Sequence, residues 1–181
     1  MSRDHVGISK FLSYILRHEP ASIGLTLDEQ GWAEIDTLLL LAGNAGTRID
    51  RTTLDAVVAS SDKKRFTISD DGNRIRAAQG HSVPSVSINY RERVPPQRLY
   101  HGTAERFLPS IREQGLIAGA RHHVHLTENR ATAIDCARRY GRPVLLTIDA
   151  ARMHGHGHQF YLSENSVWLT EQVPRKYIDE L

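Results

Sequence analysis

The stretch RFTISDDGNRIRA, residues 65–77, decides the fold of the first half of this chain. Polar and apolar residues alternate on both sides of DDGN, a run that is typical of a tight turn. Alternation places successive side chains on opposite faces of a strand. The stretch therefore predicts a β-hairpin in which Arg65 and Thr67 share the face opposite Phe66.

Helices are predicted upstream of this hairpin. One apolar stripe at helical spacing is formed by Ile8, Phe11, Leu12, Ile15 and Leu16. Pro20 ends this helix, and Asp36 and Asp50 are suitable N-caps for a second and a third. Three helices followed by a hairpin predict a winged-helix-like domain over residues 1–93.

Downstream, the prolines Pro95 and Pro96 follow a polar stretch at residues 90–93 that we interpret as a linker. Strand and helix signals then alternate. Strands are predicted to begin at residue 99 and to cover residues 123–126, 144–148, 160–162 and 167–169. Thr127 is a suitable cap for a helix between two of them. The pattern predicts a second domain over residues 98–181 and an α+β fold class overall.

Composition excludes several classes of protein. With 181 residues the chain is long enough for one or two domains, and its one cysteine, Cys136, cannot form an internal disulfide. Apolar runs are far shorter than the roughly 18 residues of a membrane span, and residues 1–10 lack a signal core. We expect a soluble, cytoplasmic monomer. The three-glycine fingerprint of dinucleotide-binding Rossmann folds is missing, which argues against a Rossmann fold. The Walker A sequence is also missing, which argues against ordinary phosphoryl transfer from ATP.

Arginine makes up 19 of the 23 basic residues. Its guanidinium binds two phosphate oxygens at once, although codon bias produces the same composition. Arg17 and His18 follow the first helix, where they suit a phosphate site or simply stabilise the helix C-terminus. Arg65 follows Lys63 and Lys64, a run that fits a nucleic-acid contact or an ordinary solvated surface.

Histidines cluster at residues 121–127 and 154–158. On a strand, Arg121, His123 and His125 share one face. The alternating histidines of the second cluster could bind zinc from one strand face, whereas the glycines between them favour a loop. Cysteine or carboxylate partners are not obvious nearby, so no metal is expected.

Five segments occur in the order found in the RNA 2′-phosphotransferases of the KptA type, which this chain resembles over nearly its whole length. They are SKFLSYILRH (residues 9–18), SSDKKRF (60–66), IRAAQGHS (75–82), YHGT (100–103) and HVHLT (123–127). The resemblance implies a winged-helix-like N-terminal lobe and an ADP-ribosyltransferase-like C-terminal lobe that binds NAD⁺. It also implies a reaction in which NAD⁺ is consumed and an internal RNA 2′-phosphate leaves as ADP-ribose 1″,2″-cyclic phosphate.

The resemblance implies roles for particular residues. The 2′-phosphate would bridge both domains and be bound by Arg17, His18, Arg65 and Arg121. Arg138 and Arg139 are alternatives to Arg121 for the last of these positions. NAD⁺ would be bound by His101, Gly102, Thr103, His125, Thr127 and Arg139. Thr127 stands where serine is usual, and Arg139 lies in a variant stretch. The implied partners are NAD⁺ and an RNA carrying an internal 2′-phosphate.

Two other functions are weighed against this one. A winged-helix regulator would need a basic recognition helix to bind DNA. The third helix carries one arginine, Arg51, and one aspartate, Asp55, so its net charge is zero. An ADP-ribosyltransferase acting on nucleic-acid phosphate ends would share every NAD⁺ residue and lack only the second chemical step. That alternative stays open from the sequence.

Overall fold

The computed structural model describes residues 3–61 and 64–180, so Asp62 and Lys63 of the KptA-like segment 60–66 lie outside the described residues. The chain divides into two compact units, Met1–Asn89 and Tyr90–Leu181. The division falls four residues before the end of the predicted first domain. Helices and antiparallel strands occur in both units, as the predicted α+β class requires.

The described residues of the N-terminal unit form three α-helices, a 3₁₀ helix at Pro20–Ile23 and a small sheet. Its elements are α1 (Arg3–Arg17), β1 (Ala33–Glu34), α2 (Ile35–Asn44), α3 (Arg51–Ala59), β2 (Phe66–Ile68) and β3 (Arg74–Ala77). The predicted hairpin is confirmed, because Phe66 pairs with Ala77 and Ile68 with Ile75. The sheet gains β1 on the other side of β3, in the order β1-β3-β2. Two residues of β1 are too few for a period-two pattern to reveal.

The amphipathic stripe of α1 forms the centre of this unit's core. Leu12, Ile15 and Leu16 are fully buried together with Leu54 of α3 and Ile75 of β3. Burial of each such side chain stabilises the fold by about 1.5–3 kcal/mol before entropy is counted. The core therefore fixes where α1 ends relative to the hairpin.

Of the two helix caps predicted in the N-terminal unit, one is confirmed. The Asp50 carboxylate accepts a hydrogen bond from the backbone N–H of Thr53 at 2.7 Å, and this bond lowers the pKa of Asp50. The Asp36 prediction is wrong. Helix α2 begins at Ile35, so Asp36 lies inside the first turn, where a carboxylate still interacts favourably with the helix dipole.

The C-terminal unit is built on two main antiparallel sheets. Its helices are α4 (Leu108–Gln114), α5 (Arg130–Ala137) and α6 (Ala150–Gly155). Its strands are β4 (Arg91–Glu92), β5 (Arg98–Ala104), β6 (Leu116–Ile117), β7 (Val124–Leu126), β8 (Pro143–Asp149), β9 (Tyr161–Leu162), β10 (Trp168–Thr170), β11 (Gln172–Val173) and β12 (Ile178–Glu180). One sheet has the order β12-β8-β5, the other β4-β9-β10-β7, and β11 pairs with β6.

A β-bridge joins the two main sheets. Tyr100 of β5 and Thr127, which follows β7, exchange backbone hydrogen bonds of 2.8 and 3.0 Å. The edge of each sheet is thereby held beside the other. This junction brings the YHGT segment next to the HVHLT segment.

The structure corrects the linker interpretation in this unit and excludes one of the two alternatives left open for the histidine tract. Residues 91–92, read as part of a linker, form β4 and pair with β9, where Arg91 lies opposite Leu162. The histidine tract 154–158 is not a strand, because α6 runs through His154 and ends at Gly155. Alternate histidines therefore do not share one strand face.

Within residues 3–61 and 64–180, no helix has the length and apolar character needed to cross a membrane.

Candidate functional site

Arg17 and His18 lie where α1 ends, and both are partly buried. The last carbonyl groups of a helix have no partner within the helix. Here the carbonyl of Arg17 accepts a hydrogen bond from the backbone N–H of Ser82 at 2.8 Å. The hydroxyl of Ser82 also lies 2.9 Å from Nδ1 of His18. The helix end and the imidazole are therefore fixed by one residue from a distant part of the sequence.

Arg65 lies directly before β2 and is anchored through both its backbone and its side chain. Its carbonyl accepts from the N–H of Ala78 at 2.9 Å. The hydroxyl of the buried Ser61 accepts from the backbone N–H of Arg65 at 3.4 Å and from its Nη1 at 3.2 Å. The guanidinium is thus oriented while its other donors keep their capacity for an anion.

The segment 78–82, within the predicted IRAAQGHS motif, connects these residues. It holds Arg65 at one end through Ala78 and Arg17 with His18 at the other end through Ser82. Three of the four residues that the resemblance assigned to phosphate binding are therefore organised by one stretch of backbone in the N-terminal unit. Arginine guanidinium groups bind phosphate oxygens through charge-assisted hydrogen bonds.

In the C-terminal unit, His101 lies on β5 beside the sheet junction. Its Nδ1 is 2.9 Å from the backbone carbonyl of His125. Because a carbonyl only accepts, Nδ1 carries the proton. Burial lowers the pKa of His101, and the charge of Arg121 lowers it further, against the opposing effect of the carbonyl bond. The neutral ring therefore presents Nε2 as a hydrogen-bond acceptor.

His125 lies at the centre of β7 and takes the complementary tautomer. Nη1 of Arg121 is 2.6 Å from Nδ1 of His125. A guanidinium only donates, so Nδ1 is the acceptor and the ring proton lies on Nε2. Hydrogen bonds consequently connect the exposed Arg121 to His125 and His125 to His101. In this series the Nε2 of His101 accepts and the Nε2 of His125 donates.

Gly102 and Thr103 complete the YHGT segment with different roles. A Cβ atom at Gly102 would lie 1.8 Å from the backbone oxygen of Ala133 in α5. The missing side chain is therefore explained by the packing of α5 on β5. Thr103 is buried and shares the strand face of His101, two residues away.

Thr127 does not cap the next helix, contrary to the prediction. The cap of α5 is Asn129, whose side chain accepts from the N–H of Thr132 at 2.9 Å. The Thr127 hydroxyl instead accepts from the N–H of Asn129 at 3.1 Å. Thr127 thus shapes the turn that leads from the sheet junction into α5.

The three candidates for the fourth arginine lie in different surroundings. Arg121 contacts His125, as described above. Arg138 forms an exposed ion pair of 2.9 Å with Asp135, and Nη2 of Arg139 lies 3.4 Å from Sγ of Cys136. Arg138 and Arg139 follow α5, in a short 3₁₀ helix. Arg121 therefore contacts a histidine of the candidate NAD⁺ site, whereas the contacts described for Arg138 and Arg139 are to residues of α5.

Comparison with known proteins identifies the family. The profile described as "RNA 2'-phosphotransferase, Tpt1 / KptA family" matches residues 3–172. A "Probable RNA 2'-phosphotransferase" of Pseudomonas aeruginosa is 61% identical over 172 residues, covering 95% of this chain and 94% of the relative. Proteins of the same description from Burkholderia lata and Rhodopirellula baltica are 55% and 56% identical, covering 98% and 96% of this chain and 92% and 94% of the relatives.

The chain belongs to the RNA 2′-phosphotransferase family.

This membership confirms the resemblance found in the five segments and makes the protein a transferase. The matched region, residues 3–172, includes residues of both units, so the family match is not confined to one of them. Sequence reasoning had singled out neither Ser61 nor Ser82 as individual residues. Both serines lie inside the quoted family segments, and that position is the signal that could have found them.

Proposed function

We propose that this protein is an NAD-dependent RNA 2′-phosphotransferase. It transfers an internal RNA 2′-phosphate to NAD⁺ and yields RNA with a 2′-hydroxyl, nicotinamide and ADP-ribose 1″,2″-cyclic phosphate. In this proposal the N-terminal unit is a winged-helix-like lobe and the C-terminal unit an ADP-ribosyltransferase-like lobe. The family membership supports the transferase class, and the arrangement of the named side chains supports the chemistry.

The N-terminal unit would supply phosphate-binding groups. Arg17 and Arg65 offer guanidinium donors, and His18 offers an imidazole oriented by Ser82. A phosphate dianion carries its own nucleophilic oxygen, so attack on a sugar carbon needs no activated serine or cysteine. It needs orientation and fixed positive charge, which together supply a large part of the barrier reduction in such reactions.

The C-terminal unit would bind the NAD⁺ substrate. The Nε2 acceptor of His101 suits a ribose hydroxyl, and the Nε2 donor of His125 suits a ribose or phosphate oxygen. Thr103 lies on the same strand face as His101. By the resemblance, Thr127, Gly102 and Arg139 contribute to the same substrate, with Gly102 acting through the packing of β5 on α5.

The reaction would proceed in two balanced steps. First, an oxygen of the 2′-phosphate forms a bond to C1″ of the NAD⁺ ribose, and nicotinamide leaves with the electrons of the glycosidic bond. Second, the 2″-hydroxyl of that ribose attacks phosphorus and loses its proton, while the RNA 2′-oxygen leaves and gains one. His18 is the group in this proposal that exchanges protons during the second step.

The observation that carries the proposal is the series Arg121–His125–His101, in which hydrogen bonding fixes complementary tautomers beside the sheet junction. A regulator that reads duplex DNA through α3 is disfavoured. Arg51, the helix's arginine, places Nε 3.0 and 3.1 Å from the two carboxylate oxygens of Asp55. Its charge is therefore compensated within the helix.

The decisive experiment incubates the purified protein with NAD⁺ and a short RNA that carries one internal 2′-phosphate. Nicotinamide release and loss of the 2′-phosphate should occur in equal amounts, with cyclic phosphate as the third product. Accumulation of ADP-ribosylated RNA without cyclic phosphate would instead indicate transfer to phosphate ends. Salt-sensitive duplex binding without NAD⁺ turnover would overturn the proposal in favour of a regulator.

A further inference from the structure

Ser82 makes two hydrogen bonds to two consecutive residues of the candidate phosphate site. Its backbone N–H donates to the carbonyl of Arg17 at 2.8 Å, and its hydroxyl bonds Nδ1 of His18 at 2.9 Å. The first bond uses a carbonyl at the C-terminal end of α1, and the second reaches the next residue. The two bonds together fix both the position of the backbone and the rotation of the imidazole.

Ser82 is itself held by its neighbours along the chain. Gly80 has a positive φ of 90°, a backbone conformation that glycine adopts without a steric cost. His81 is 3% exposed, and its Nε2 would lie 3.0 Å from a Cβ atom at Gly31. The turn at Gly80 and the buried His81 therefore leave Ser82 little freedom, so its hydroxyl is a preorganised partner for His18.

The chemistry of a hydroxyl matters for a residue that exchanges protons. A serine hydroxyl donates one hydrogen bond and accepts others by rotating about the Cβ–Oγ bond. When the imidazole gains or loses a proton at Nε2, Nδ1 keeps its own proton and donates it to the hydroxyl. The contact between Ser82 and His18 therefore persists in both protonation states.

We propose that Ser82 is a positioning residue of the transferase. It keeps the His18 ring in one orientation in both protonation states and directs proton exchange with the substrate to Nε2. This inference rests on the proposed function, because it assigns His18 to the second chemical step. Ser82 acts through His18 and contacts no substrate itself.

The test compares Ser82→Ala with Ser82→Thr and with Ser85→Ala. Alanine keeps the backbone bond to Arg17 and removes the hydroxyl, whereas threonine keeps both groups. Ser85 is an exposed residue three positions further along the same segment and serves as the matched control. Each variant is assayed with NAD⁺ and the RNA carrying one 2′-phosphate, and its thermal unfolding is measured.

Ser82→Ala should lower kcat by about 10- to 100-fold, the factor expected when a hydrogen bond to a charged group is lost. KM for NAD⁺ should change less than about twofold, since the NAD⁺ residues lie in the other unit. A lower kcat at unchanged KM indicates that the mutation weakens stabilisation of the transition state and not substrate binding. ADP-ribosylated RNA should accumulate, because the second step is the one that needs His18. Ser82→Thr should recover most of the rate, and Ser85→Ala should match wild type.

A merely structural role would give a different pattern. It predicts a lower unfolding temperature and reduced binding of both substrates, without accumulation of the intermediate. Equal kcat for Ser82→Ala and wild type would overturn the inference and leave the proposed function intact, whereas an inactive wild-type protein would overturn the proposed function itself. If Ser82→Ala does not fold, Ser82→Cys gives the same comparison, because a thiol of similar size is a weak hydrogen-bonding group.

Discussion

Replacing Gly102 with alanine tests whether this glycine serves packing or ligand approach. The new Cβ atom would lie 1.8 Å from the backbone oxygen of Ala133, 2.5 Å from its carbonyl carbon and 3.2 Å from its Cα. These atoms belong to the backbone of α5, so they cannot move aside as the end of a flexible side chain can. Either α5 must shift away from β5 or the strand must distort.

The magnitude follows from this geometry. Overpacking of a well-filled interior typically costs about 1–3 kcal/mol and occasionally more. A backbone clash of this severity belongs at the upper end, so we expect a loss of about 3 kcal/mol in the free energy of unfolding. For a chain of this size that corresponds to a fall of roughly 6–12 °C in Tm.

Differential scanning calorimetry of Gly102→Ala and wild type measures the effect directly. Gly155→Ala is the control in the same unit, because a Cβ at Gly155 would meet nothing within 4 Å. The control should unfold within about 2 °C of wild type, as expected for a substitution away from packing contacts. An unchanged Tm for Gly102→Ala, combined with a raised KM for NAD⁺, would refute the packing argument and favour ligand approach.

Three further predictions concern the site and its support. Arg65→Ala should lower kcat/KM for the 2′-phosphorylated RNA by about 10²- to 10³-fold, the loss typical of one charge-stabilising donor, and steady-state kinetics at wild-type rate would contradict it. Burial holds the pKa of His101 below its ordinary value of 6.5. At neutral pH its Nε2 therefore accepts a hydrogen bond, and it loses this ability only when acidification protonates the ring. The profile of kcat/KM for NAD⁺ should therefore be flat down through pH 6.5 and fall below it, and a decline that begins above pH 6.5 would disprove this assignment. Asn129→Ala removes the side-chain cap that accepts from Thr132 and should cost about 0.5–2 kcal/mol of stability, measured by denaturant unfolding; an unchanged midpoint would show that the cap is dispensable.

Local patterns in the sequence were sufficient wherever a single element decides the outcome. The stripe from Ile8 to Leu16 predicted α1, and the DDGN turn predicted the hairpin, because side-chain period and turn chemistry act over a few residues. Capping was less predictable. Asp50 caps α3 as expected, but Asn129 caps α5 two residues after Thr127, because several residues of suitable type lay near the helix start.

Short strands could not be predicted in the same way. Residues 91–92 looked like a linker because two residues carry no period, and only their pairing with β9 makes them a strand. For the histidine tract 154–158 the sequence left a strand and a loop open. The structure excludes the strand, because Ala150 and Met153 pack in the core as part of the helix α6, which ends at Gly155 within the tract.

The amino-acid sequence by itself determined the family, because the five ordered segments can be recognised without knowledge of the fold. It also determined which residue types are available for the phosphate and NAD⁺ chemistry that we propose. Only the tertiary structure decided how these groups are oriented: that Ser82 holds His18, that the His125 carbonyl fixes the proton of His101, and that Gly102 accommodates α5. The physical reason is that hydrogen bonds and steric contacts depend on distances in space. The residues that supply them here are separated by 24 to 64 positions along the chain.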